Sequence, residues 1–294
     1  MKRILITGAN SYVGTQVERY LGNWPERYEI ETLDMKDGTW KARSFSGFDA
    51  VFHVAGLVHL KQAKEDPSQA ERYHQVNTVL AIETAQKAKD EGVGQFIFMS
   101  SESVYGLTAP VGKTLVITAD TPLNPTDNYG TSKAQAEAGL RELNDATFRV
   151  AILRPPMIYG PGCRGNYPTM AALAKKLPLF PKVSNQRSML YIENLAEFVR
   201  LILEDRAAGV FCPQNREYTN TSRMVRDIAR AHGKNLPLIP GFTWALKLLR
   251  PLTGAVDKAF GSLCYDVSLS AYGTDYCVKT LEQSIMETEG GQKL

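Results

Sequence analysis

The chain has no apolar run approaching the roughly 18 uninterrupted residues of a membrane-spanning helix. Its most apolar late segment, LPLIPGFTWALKLLRPLTGAV at 236–256, is broken by Pro240, Lys247, Arg250 and Pro251. That segment reads as a helix packed on a second lobe. Runs of five or six basic residues are also missing, and the net charge is only +3 over 294 residues, so nucleic acid is not an expected partner. The cysteines (Cys163, Cys212, Cys264 and Cys277) include no CxxC pair, which argues against zinc or a redox centre; no metal is expected, and a reduced cytoplasmic setting fits best. The opening MKRILITG enters a strand pattern directly, without the apolar core of a signal peptide, so secretion is not expected. Internal repeats and low-complexity tracts are absent.

What is present is the make-up of a soluble globular enzyme, with 44% hydrophobic and 22% charged residues. Short apolar runs alternate with longer helix-like stretches: RILIT, YVGTQVERYL, YEIETLD, DAVFHVAG, QVNTVLAIETAQKAKDEG and QFIFMS, then a helix near Tyr129 and the strand FRVAILR. This alternation predicts an α/β fold, a doubly wound parallel sheet of the Rossmann type with crossover helices. After Arg154 the texture turns to PPMIYGPGCRGNYP, rich in Gly and Pro, which reads as loop. The division expected is a nucleotide-binding domain over 1–155 and a smaller mixed substrate-binding lobe over 156–294, intermingled with returning segments of the first.

The first strand runs into TGANSYVG, where Gly8 and Gly14 bracket a turn that opens a helix. Glycine there lets backbone amides approach a pyrophosphate, and the helix N-terminus supplies unpaired N–H groups and partial positive charge. Ser11 stands where the dinucleotide fingerprint has its middle glycine; Ser11, Tyr12 and Val13 complete the turn that would contact the cofactor. Asp34 closes the second strand 20 positions after Gly14, where a carboxylate holds the two ribose hydroxyls and repels a 2′-phosphate. NAD is therefore expected over NADP, with nearby Lys36 softening the preference.

Tyr129 and Lys133, in YGTSK, lie one helical turn apart on one face. An ammonium near a phenol lowers the phenol's pKa from about 10 and readies it for proton exchange near neutrality. By itself that spacing is common. It gains weight from FIFMSSESVYG, a hydroxyl-rich strand whose Ser101 comes 28 residues before Tyr129, at the ligand edge expected of such a sheet, and from the Gly8 turn and Asp34.

Together these motifs resemble the extended short-chain dehydrogenase/reductase family, in its nucleotide-sugar epimerase and dehydratase branch. The resemblance is strong to about Arg200 and weak beyond. It implies that Ser101 is the hydroxyl partner of Tyr129, ahead of Ser100 and Ser103, and that Lys133 also binds the nicotinamide ribose. It implies further cofactor contacts from Val54, Ala55 and Gly56 in VAGL, from Asn77 on a central helix, and from Pro156 and Met157 in RPPMIYGPG. Asn166 and Arg187 correspond to positions that hold the nucleotide diphosphate, and Ser101, Glu102 and Tyr129 to groups facing the sugar. A homodimer through two helices per subunit is the family pattern.

Departures from the pattern narrow the chemistry. The Asp-Glu pair that dehydratases carry after the catalytic hydroxyl is replaced by Glu102 and Ser103, which disfavours elimination. The third-strand region is shortened to KDGTWKARSF, where Trp40 would either cover the adenine or pack in the core. The RPGD-like stretch of many 4-epimerases is absent. The leading expectation is a UDP-sugar 4-epimerase, with Tyr129 taking the C4 hydroxyl proton, NAD taking the C4 hydride and the 4-keto sugar receiving it back on its other face. Competing expectations are an NAD(P)H-dependent nucleotide-sugar 4-keto reductase, which stops halfway, and a non-catalytic NAD-sensing or scaffold protein on the same fold.

Overall fold

The computed structural model describes residues 1–58, 67–241, 244 and 255–290. Much of the helix expected over 236–256 lies outside the described residues. Among those described, no helix is long and apolar enough to cross a membrane. The chain divides into two compact units. Unit 1 comprises Met1–Gly106, Pro122–Pro155 and Leu195–Cys212, and unit 2 comprises Leu107–Thr121, Pro156–Asn194 and Pro213–Leu294.

Unit 1 is built on six parallel strands: β1 (Lys2–Thr7), β2 (Tyr28–Leu33), β3 (Ala50–His53), β4 (Gln95–Met99), β5 (Arg149–Leu153) and β6 (Gly209–Phe211). Their order is β6-β5-β4-β3-β1-β2, so the chain steps outward from β1 on one side and then restarts at β3 on the other. Open α/β sheets take their ligands at such a reversal, outside the carboxyl ends of the strands. The inner strands β1, β3 and β4 are apolar on both faces, with Ile4, Leu5, Val51, Phe52, Phe96, Ile97 and Phe98 fully buried, whereas the edge strand β2 alternates, its Glu29 and Glu31 facing out.

Helix α1 (Tyr12–Leu21) follows β1, α2 (Leu80–Asp90) precedes β4, and α3 (Asn128–Leu143) precedes β5. On α2 the inward positions are Ala81, Ala85 and Ala88, spaced to form one stripe, and their small side chains let the helix lie close on Val51, Phe96 and Phe98. From α3, Ala136 and Leu140 join the same cluster. Trp40 is only 3% exposed and packs there with Phe45 and Phe48, so of its two expected roles the structure takes core packing.

Unit 2 is a set of short parallel pairs: Thr114–Ile117 with Ser262–Tyr265, Met157–Tyr159 with Met189–Tyr191, and Phe180–Pro181 with Leu238–Ile239. The segment read as loop after Arg154 thus contains a strand, since Met157, Ile158 and Tyr159 find partners at Met189, Leu190 and Tyr191. Those partners lie some thirty residues away, which local composition does not register. Helices Asn166–Lys176, Thr221–Ala231 and Leu281–Thr288 also belong to the unit. Its interior includes a polar network: Asn215 Oδ1 accepts from Tyr191 N and Asn194 Nδ2, both at 2.9 Å, and its amide donates to Tyr159 OH at 3.0 Å.

Candidate active site

The turn after β1 is shaped by close backbone approach. Gly8 has φ +95°, and a Cβ there would stand 2.7 Å from Ala55 N and 2.9 Å from Ala55 Cα, so a side chain is excluded on both counts. Ser11 is the N-cap of α1, its hydroxyl accepting from Gly14 N at 3.1 Å. The serine found in place of the middle glycine therefore caps the helix. Gly14 in turn leaves room for Ser11 Oγ, Val54 and Ile6, all within 3.2 Å of where its Cβ would be. Tyr12 and Val13 form the first helical positions, and the first turn of α1 holds no acidic residue, which suits an anion at its N-terminus. Asp34 lies one residue past β2 and stays half-exposed; its Oδ1 accepts from Lys36 N at 3.0 Å, and Lys36 Nζ stands 3.7 Å away.

Val54, Ala55 and Gly56 leave β3 along this turn, and Asn77 holds the next residue, Leu57. Asn77 is fully buried in a π-helical segment, His74–Val79, just before α2. Its Oδ1 accepts from Leu57 N at 2.7 Å, and its Nδ2 donates to Leu57 O and Ser132 Oγ, both at 3.0 Å. One side chain thus ties the VAGL segment to α3. Gly56 is required beneath it, because a Cβ would come within 3.0 Å of Asn77 Oδ1 and 3.4 Å of Lys133 Nζ.

Helix α3 is capped by Asp127, which accepts from Gly130 N at 2.7 Å. Tyr129 and Lys133 lie on it, and Tyr129 hydrogen-bonds Ser101. The serines follow β4 instead of belonging to it: Ser101 is the N-cap of a 3₁₀ turn, Glu102–Tyr105, and its Oγ accepts from Ser103 N at 3.1 Å and donates to Ser103 Oγ at 3.2 Å. Lys133 is buried, donating to Met99 O at 2.8 Å with its ammonium 4.5 Å above the Phe98 ring. Desolvation lowers the Lys133 pKa to about 7, with Glu137 opposing. Desolvation also pushes Tyr129 up to about 12, with the Ser101 hydrogen bond pulling down and Asp127 and Tyr73 pushing up. This corrects the expectation that Lys133 lowers the phenol's pKa. The ammonium is turned to the Met99 carbonyl, and burial favours the neutral form of both groups.

Glu102 starts the 3₁₀ turn, its N–H donating to Pro155 O at 3.0 Å. Pro156 and Met157 open the second stretch of unit 2, where Met157 begins a strand. Asn166 is exposed at the first position of its helix. Arg187 exchanges two backbone hydrogen bonds of 2.9 Å with Thr219, and its guanidinium donates to Gly261 O at 3.4 Å. Unit 1 thus gathers Ser101, Tyr129, Lys133, Asn77 and Gly56, while Asn166 and Arg187 belong to unit 2.

Sequence reasoning passed over two groups near Lys133. Glu137, one further turn along α3, is fully buried and bound by Arg154 through Nε at 2.9 and 3.2 Å and Nη2 at 2.5 Å. The i, i+4 spacing from Lys133 was a usable signal; the partner Arg154, just past β5, was not. His53, at the end of β3, hydrogen-bonds Thr7 Oγ1 at 2.8 Å and stacks near Phe96 and Phe98. Desolvation, then Lys133, lowers its pKa to about 3, so it is neutral. Among the described residues no cluster of His, Cys, Asp or Glu is arranged to hold a metal ion.

A sequence profile of the NAD dependent epimerase/dehydratase family matches residues 4–211. The chain belongs to that family. It is accordingly an NAD-dependent enzyme of the extended short-chain dehydrogenase/reductase type. Relatives of this epimerase/dehydratase chain include a UDP-glucose 4-epimerase of Vibrio cholerae, 31% identical over 91% of this chain and 88% of its own. A GDP-6-deoxy-D-mannose reductase of Pseudomonas aeruginosa is 26% identical over 78% of this chain and 81% of its own. Among solved structures, RMD from Pseudomonas aeruginosa complexed with NADPH superposes with a TM-score of 0.77 at 18% identity, covering 98% of this chain and 99% of that one, which establishes the shared fold.

Proposed function

We propose that the protein is a nucleotide-sugar 4-epimerase, acting on a UDP-sugar by way of a 4-keto sugar. The observation that carries this reading is the grouping of Ser101, Tyr129 and Lys133 past the carboxyl end of β4, a hydroxyl and a phenol hydrogen-bonded beside a buried ammonium. The likeness to a UDP-glucose 4-epimerase over most of both chains supports it.

The residues fit NAD. The glycine turn and α1 N-terminus suit the pyrophosphate, Asp34 the ribose hydroxyls, and Lys133, with Val54, Ala55, Gly56, Asn77, Pro156 and Met157, the nicotinamide end. Bound NAD supplies a hydride acceptor that is regenerated within each turnover. Tyr129 exchanges the proton of the C4 hydroxyl, with Ser101 holding the same oxygen by a hydrogen bond. The Ser101 hydrogen bond is the contact that draws the phenol's pKa down, while Lys133 is the group assigned to the nicotinamide ribose. The family resemblance assigns Asn166 and Arg187 to the nucleotide diphosphate, the guanidinium offering a fork to phosphate oxygens. Glu102 faces the sugar as a hydrogen-bonding group, and with Ser103 beside it the site lacks the second carboxylate that water elimination requires.

A reductase reading, with a 4-keto sugar reduced by incoming NADH or NADPH, is favoured by two observations. One is the GDP-6-deoxy-D-mannose reductase relative. The other is Lys36, 82% exposed beside Asp34, positioned to offset its charge toward a 2′-phosphate. Purified enzyme incubated with UDP-, GDP- and dTDP-sugars, with and without NADH, separates the readings. Isomer formation without added reductant is the expected result; consumption of NADH with a 4-keto sugar favours the reductase, and no turnover or binding of any nucleotide sugar overturns both.

A further inference from the structure

The two halves of the catalytic group rest on neighbouring residues of one short stretch. Lys133 docks on the Met99 carbonyl, and Tyr129 hydrogen-bonds Ser101. Between them lies Ser100, 2% exposed, whose hydroxyl donates to Glu137 Oε1 at 2.6 Å and whose N–H donates to Leu153 O at 2.7 Å. The Glu137 carboxylate is itself immobilised by the bidentate Arg154 contact, with Arg141 adding a contact at 3.2 Å. Arg154 is anchored in turn by Tyr105 OH at 2.8 Å, and its guanidinium lies 5.1 Å over that ring. A buried ion pair of this kind is seldom retained for stability alone, because desolvating two charges costs nearly what their attraction returns.

We propose that Glu137 is a positioning residue of the reaction: clamped by Arg154, it fixes the Met99–Ser101 backbone that seats Lys133 and Tyr129, and it is the counter-charge of the Lys133 ammonium. The inference rests on the dehydrogenase-type role given to Lys133 above. The other titratable groups around Lys133 do not supply that counter-charge. His53 from β3 is neutral above about pH 3, Tyr129 and Tyr105 are held protonated by burial, Tyr73 is a phenol at the edge of the Tyr129 ring, and Arg141 and Arg154 are cations. Glu137, buried one turn from Lys133 on the same helix, is the anion placed to act on it.

The test labels lysine Cε with ¹³C in the full-length enzyme, identifies the Lys133 resonance by its loss in Lys133→Met, and follows its titration. Glu137→Gln keeps the shape and removes the charge, and should lower the Lys133 midpoint by about one pH unit, whereas Glu137→Asp should leave it near the wild-type value. With UDP-glucose as substrate, the alkaline limb of kcat/KM should move down by the same amount in Glu137→Gln and stay in place in Glu137→Asp. If Glu137→Gln does not fold because Arg154 is left unpaired, Glu137→Gln/Arg154→Met is measured against Arg154→Met, so that the Arg154 charge is absent from both and the Lys133 midpoint should still fall by about one pH unit. A folded variant whose Lys133 midpoint is unchanged overturns the proposal. Because the titration is read without substrate, it still decides the matter if the wild type converts no nucleotide sugar, an outcome that would sink only the proposed function.

Discussion

At the level of single residues, the proposed site carries a cost in stability. Lys133 titrates near 7 in the folded chain and near 10.5 when unfolded, so between those values the unfolded state binds more protons. Stability therefore rises with pH through that window, and the penalty for the buried charge is fully present below about 7. Lys133→Met should raise the melting temperature at pH 7 by a few degrees, roughly 1 kcal/mol or more, with the advantage shrinking toward pH 10.5. Scanning calorimetry of both proteins across that range checks the sign. Tyr129→Phe should lower turnover by about 10² to 10⁴ while leaving NADH binding, read by fluorescence, close to wild type. The Tyr-Lys spacing was legible in the sequence as one helical face, but the phenol's raised pKa was not. That rise comes from desolvation of a half-buried phenol, with Asp127 and Tyr73 adding to it and Ser101 opposing, and Tyr73 lies at no spacing that singles it out.

Among the elements, the turn after β1 and the π-helical segment before α2 set the backbone proposed to face the cofactor. Gly8→Ala forces a Cβ to 2.7 Å from Ala55 N at a φ of +95°, and should cost about 1–3 kcal/mol along with most NAD affinity, measurable by denaturant unfolding and by titration. Asn77→Ala removes the hydrogen bonds holding Leu57 to α3 and leaves Leu57 N–H and C=O without that partner; a loss of about 2 kcal/mol is expected, with faster amide exchange at Leu57. The alternation of apolar runs was enough to read a parallel sheet, because buried parallel strands such as AVFH and QFIFM are apolar on both faces. Less was readable where a strand is three residues long and its partner distant. Met157–Tyr159 sits in a Gly- and Pro-rich context that looks like loop, and β6, at Gly209–Phe211, is a short apolar piece whose partner β5 lies far back in the chain. Trp40 was equally open, its burial being decided by Phe45 and Phe48 closing over it.

For the whole molecule, ligand linkage offers a simple measurement. NAD at about 100 times its Kd should stabilise the folded state by about 2.7 kcal/mol and raise the melting temperature by several degrees, whereas the same concentration of NADP should do so less, given Asp34. Equal shifts would point to Lys36 as the dominant charge. The sheet also has a history in time. Five of its strands are complete once Leu153 has been made, yet the strand that covers the open edge of β5 begins only at Gly209, after the long second stretch of unit 2. At ribosomal rates of about 5–20 residues per second, β5 presents unpaired backbone groups for several seconds while the intervening segment emerges. The enzyme therefore has a vulnerable interval during its own synthesis, and a truncated product ending near residue 155 would meet other copies with that edge exposed, which makes premature termination a source of aggregates rather than of a smaller working domain.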